Sequence, residues 1–154
     1  MARARRSKTR LRRSKPVKRR ARLAPRPTEA ESRLLTLARE LDHLPLEAAL
    51  RALAAANGPA APLPRAVFKG WLRTRGDKTA ALALAWAREQ LRLALCDALA
   101  RTPVAGTARL QLDDDAVAWI LLATAESLAH EPPSAVADRL RAMLALAAPS
   151  PADA

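Results

Sequence analysis

No tyrosine occurs in the 154-residue chain, phenylalanine occurs once and tryptophan three times, so the aromatic residues are Phe68, Trp71, Trp86 and Trp119. A core must then be assembled from Leu, Ala and Val, and Leu and Ala are strong helix formers. One cysteine, Cys96, excludes an intramolecular disulfide and any multi-cysteine metal knuckle; this suits a reducing compartment, of which the cytoplasm is the default. The two histidines and four glycines supply neither a histidine metal cluster nor a glycine-rich phosphate loop. The strongest apolar runs, Thr79 to Ala87 and Ala116 to Ala125, are about half the roughly 20 residues of a membrane span, so no membrane association is expected. No apolar stretch follows Arg13 to complete a secretion signal. No segment alternates at period two for long enough to form a sheet. The scarcity of Asn, Ile, Phe and Tyr beside abundant Arg, Ala and Pro points to a bacterial genome rich in G and C.

Charge, in contrast, is abundant and unevenly placed. Lys and Arg total 27 against 15 acids, a formal net charge of +12. Residues 1 to 26 hold 13 of the bases and no acid, which leaves 14 bases and 15 acids for the rest, so the excess lies in an N-terminal tail. Arg5, Arg6, Arg12, Arg13, Arg19 and Arg20 are its paired arginines. With Pro16, Pro25 and Pro27 and few apolar residues, 1–27 is expected to be disordered, as is 148–154. A flexible polycation gains free energy by releasing counterions from a phosphate backbone, whatever the base sequence. A solubilising segment or a transit peptide has the same composition.

The remaining chain reads as six helices, an all-α fold. Thr28 and Glu31 form a capping-box pattern before Leu34, Leu37, Ala38 and Leu41, which predicts a helix over about 28–42. Pro45 opens a second over 45–56, stopped by Asn57-Gly58. Pro59, Pro62 and Pro64 predict a stiff connector before a short helix over 65–73 with Val67, Phe68, Trp71 and Leu72 as its apolar side. Asp77 is a good N-cap for a long central helix over 78–101, with Arg88, Glu89, Arg92 and Asp97 directed outward. Asp113 to Asp115 open a helix over 114–130, and Ser134 caps the last, over 134–147. The expected organisation is a three-helix unit (28–76) followed by a regulatory and dimerisation unit (77–147) made of the long helix and two others.

In the short helix Arg65, Lys69 and Arg73 recur at a spacing of four and make a basic stripe, which Arg75 and Lys78 extend. A phosphate-contacting helix has this form, and so does an ordinary solvated one. Glu126 and His130 could share a metal, but two ligands on one helix do not make a site, and no metal or other cofactor is expected. Asp113 to Asp115 are explained by capping and the helix dipole. Ser127 near His130 lacks an orienting acid, so no enzyme is expected. Val117, Trp119, Ile120, Leu121 and Leu122 cover most of one helix, and Val136, Leu140, Met143 and Leu144 stripe the next. A homodimer interface is therefore expected at Trp119, Leu121, Leu122, Val136, Leu140, Met143 and Leu144.

The order of these pieces resembles the TetR-like transcriptional regulators. Glu31 to Leu41 is similar to that family's first helix, and Leu46 to Gly58 to the first helix of its helix-turn-helix. Val67-Phe68-Lys69-Gly70-Trp71 is similar to the apolar-aromatic-x-x-aromatic signature of its recognition helix, and Gly76-Asp77-Lys78 to the turn whose basic residue touches phosphate. Arg109 to Leu146 is similar to its last two helices. The resemblance implies a DNA-binding repressor, a homodimer, with room for a small apolar effector. The alternative is a non-enzymatic helical interaction module whose basic tail binds nucleic acid without choosing sequence.

Overall fold

The computed structural model describes residues 26–102 and 112–147. Among these residues six α-helices and one short 3-10 turn follow one another, and no strand occurs: α1 (Glu29–Asp42), α2 (Leu46–Ala56), α3 (Pro62–Arg73), α4 (Lys78–Arg101), α5 (Asp114–Ser127), the turn Leu128–His130, and α6 (Pro133–Ala147). Residues 1–25, including Arg5, Arg6, Arg12, Arg13, Arg19 and Arg20, and 148–154 lie outside the described residues.

The helix starts are set by local hydrogen bonds that satisfy backbone N–H groups left without an intrahelical partner. The Thr28 hydroxyl accepts from the Glu31 N–H, and the Glu31 carboxylate accepts from the Thr28 N–H at 3.1 Å, closing a reciprocal capping box. Asp77 accepts from the Ala80 N–H at 3.0 Å, and Asp113 from the Ala116 N–H at 2.7 Å. Gly76 stands at φ +84, in the left-handed region, and turns the chain from α3 into that cap.

Several boundaries differ from expectation. α3 begins three residues early because Pro62 and Pro64 enter its first turn, where a missing N–H removes no helical bond. The connection from α2 is thereby shortened to 57–61. α2 is stopped by Asn57 rather than by a left-handed glycine: the buried Asn57 amide donates to the Leu53 carbonyl at 2.9 Å. α5 tightens into the 3-10 turn after Ser127, and α6 starts at Pro133, which places Ser134 inside its first turn instead of at its cap.

α4 is the central element. It packs most extensively on α1 and next on α5, while α2 is covered by α6 and α3 lies across α1 and the start of α4. One continuous core of Leu and Ala, with Val117 and Met143, runs from Ala30 to Ala147, so the two expected units share it. Arg92 is a correction: expected to point outward, it is 7 % exposed, held between the Glu89 and Asp115 carboxylates, and ties α4 to the first turn of α5. A second tie is bidentate, Arg88 donating to Glu126 at 2.6 and 2.7 Å. Its guanidinium also lies 4.7 Å from the centre of the Trp119 ring.

The face that α3 buries is Leu63, Ala66 and Gly70, with Val67 half-buried, and not the aromatic side. A Cβ placed at Gly70 would stand 3.2 Å from the Ala30 Cβ and 3.3 Å from a Leu84 methyl, so α1, α3 and α4 meet closely where no side chain intervenes. Gly70→Leu should force α3 away and destabilise the protein by about 1–3 kcal/mol, read as a lower urea midpoint with an unchanged slope.

Candidate nucleic-acid interface

The close approach at Gly70 decides what α3 shows to solvent. Arg65, Phe68, Lys69, Trp71, Leu72 and Arg73 are all exposed and occupy one continuous arc of the helix. The expected separation of a buried aromatic side from an exposed basic side is thus overturned. Phe68 is 64 % and Trp71 59 % exposed, beside the cations rather than beneath them. Their chemistry could be listed from the sequence, but their exposure could not, because four apolar residues on a helix ordinarily mark its core face.

The cations have an electrostatic setting of their own. No Asp or Glu occurs between Glu47 and Asp77. Elsewhere in the described residues Arg33, Arg51, Arg88, Arg92, Arg139 and Arg141 each pair with a carboxylate, while Arg39 and Arg101, on separate helices, form no salt bridge there. None of those salt bridges involves Arg65, Lys69, Arg73, Arg75 or Lys78, all of which are exposed. Lys78 also opens α4, where the positive end of the helix dipole disfavours a cation, so its placement does not serve helix stability.

Two adjoining grooves flank α3. One, of about 910 Å³, runs from Asn57 and Pro59 along α3 to Arg88, Glu126 and His130. The other, of about 470 Å³, gathers Trp71, Trp86 and Trp119 with Leu82 over the Arg88–Glu126 pair. Leu82 is 71 % and Trp86 56 % exposed, so the apolar first half of α4 turns one side to solvent. Glu126 is committed to Arg88 and not to a metal, and among the described residues no group of three His, Cys, Asp or Glu side chains could hold one. No described helix is long and apolar enough to cross a membrane.

The titration shifts fall on α4, at the Arg88 and Arg92 ion pairs and at Cys96. Hydrogen bonding to Glu126 raises the Arg88 pKa, and hydrogen bonding to Glu89 raises that of Arg92. The same bond to Arg92 holds the Glu89 carboxyl below its ordinary value. Burial pushes the Cys96 thiol up from its ordinary value.

The expected dimer face requires correction. Leu121 and Leu122 are fully buried inside the chain, and Met143 is nearly so, because α5 is enclosed by α2, α4 and α6. Of the residues assigned to that face, Trp119 is exposed, and Val136, Leu140 and Leu144 are half-buried. No family model, no curated protein and no solved structure matches the chain.

Proposed function

We propose that this protein binds nucleic acid through the exposed arc of α3 and the turn into α4, with Arg65, Lys69, Arg73, Arg75 and Lys78 on phosphates and the N-terminal polycation adding affinity. The observation that carries this reading is that these five exposed cations form no salt bridge among the described residues, and that four of them, Arg65, Lys69, Arg73 and Arg75, lie in a stretch of chain free of acids. Such a surface gains free energy from counterion release when it meets a polyanion. The short α2–α3 connection and the TetR-like residues of α3 support a DNA-binding transcriptional regulator, a repressor acting as a homodimer in the bacterial cytoplasm. The groove of about 470 Å³ falls within the size range of small-ligand pockets and offers an apolar effector a place.

The test is a salt titration of DNA affinity. Arg65→Ala, Lys69→Ala and Arg73→Ala are each expected to lower the slope of log affinity on log salt by about 0.9. Their melting temperatures should barely change, since exposed charges contribute little to stability. Arg39→Ala, on exposed α1 surface, is the control. Equal loss from that control would remove the special role of α3. It would favour the second reading, an interaction module docking through the exposed Leu82, Trp86 and Trp119, which the tryptophan-lined groove supports.

A further inference from the structure

Large aromatic rings on a protein surface expose apolar area to water, and a folded chain gains nothing from them unless a partner covers them. Phe68 and Trp71 are three residues apart on α3, hence neighbours on one face, and both are more than half exposed. Arg65 precedes them, Lys69 lies between them in sequence and Arg73 follows, so cation and ring alternate in order along the helix axis, the rings on one strip of the arc and the cations on the strip beside it.

That alternation discriminates between partners. A protein partner could use the rings and the arginines, which interface centres favour, but it would also enclose Lys69, a residue of which such centres are depleted, and no carboxylate of this stretch accompanies the cations. A closed duplex satisfies the cations but not the rings, because its base faces are already stacked on one another and only their edges reach the grooves. A single strand satisfies both: each base has a free π-face, and successive phosphates lie between successive bases.

We propose that the α3 face takes single-stranded nucleic acid, with bases stacked on Phe68 and Trp71 while Arg65, Lys69 and Arg73 hold the intervening phosphates. This rests on the nucleic-acid reading of the basic stripe and is an alternative to the duplex binding that the TetR-like repressor reading asks of the same helix. Stacking requires no hydrogen-bonded base edge, so the face is tolerant of sequence. Trp71 also walls both grooves, so a base lying on it extends toward the apolar groove of Trp86.

The test uses the full-length protein with a labelled oligo(dT), an oligo(rU) of the same length and a mixed-sequence duplex, at an ionic strength of about 0.3 M. There the electrostatic contribution of the tail is weakened and stacking persists. Affinity is read by fluorescence anisotropy and ring contact by quenching of tryptophan emission. The single strands should bind more tightly than the duplex. Phe68→Ala and Trp71→Ala should each weaken single-strand binding roughly 5- to 150-fold and leave duplex binding unchanged. Trp71→Phe, which keeps a ring, should restore most of the loss. Tight binding of oligo(dT) alone, oligo(rU) alone or both identifies the strand as DNA, RNA or either, and each supports the proposal. Duplex binding as tight as single-strand binding, or full affinity in both alanine variants, overturns it. Arg65→Ala and Lys69→Ala in the same assay separate the two readings: if they lose affinity while the aromatic variants do not, the stripe stands and the stacking falls. If none of the four loses affinity, both fall. Circular dichroism checks each variant; should Trp71→Ala unfold, Phe68→Ala carries the test.

Discussion

Leu121→Glu is expected to unfold the protein, not to divide a dimer. The Leu121 side chain is fully buried in the core that α5 shares with α4 and α2. A carboxylate there has no partner, and desolvating it costs roughly 4 kcal/mol or more, a large share of the 5–15 kcal/mol typical of a domain. Circular dichroism should show loss of most helical signal at 25 °C. Leu140→Glu provides the contrast, since Leu140 is half-buried on α6, whose buried residues are only Met143 and Ala147. That variant should keep its helices, and sedimentation equilibrium should report whether the α6 side joins two copies. A folded, cooperative Leu121→Glu variant would contradict the enclosure of α5.

Removing residues 1–26 should produce the largest change in nucleic-acid binding. The segment carries 13 cations and no acid. If even five engage phosphates, the slope of log affinity on log salt falls by roughly 4 to 5, and affinity at moderate salt drops by orders of magnitude. The body should remain folded, because its continuous core begins at Ala30 and its first cap is made by Thr28. Titrations at several salt concentrations, with the melting temperature measured alongside, check both halves of this expectation. An unchanged slope would assign the tail to solubility alone. A changed slope together with loss of the Arg65, Lys69 and Arg73 effects would mean that tail and stripe act on the same polyanion.

The helix ends were legible in the residues because they depend on neighbours a few positions away. Thr28 with Glu31, Asp77 with Ala80 and Asp113 with Ala116 close their hydrogen bonds over three residues, and the sequence alone contains everything those caps need. The all-helical class and the long α4 follow likewise from Leu- and Ala-rich periodicity and the absence of alternating segments. The spacing of Arg65, Lys69 and Arg73 likewise placed the cations on one stripe. Which side of each helix is buried was settled only in three dimensions. On α3 the deciding fact is that Gly70 lets Ala30 and Leu84 come close, so the helix seats on its small residues and leaves Phe68 and Trp71 outside. On α4, apolar nearly all round in its first half, the choice between Leu84 inside and Leu82 and Trp86 outside belongs to the shapes of α1 and α3. Arg92 is buried because Asp115, 23 residues away, and Glu89 receive it; Arg88 meets Glu126 across 38 residues. Pairings over such separations carry no periodic signal, since their geometry exists only after the helices have packed.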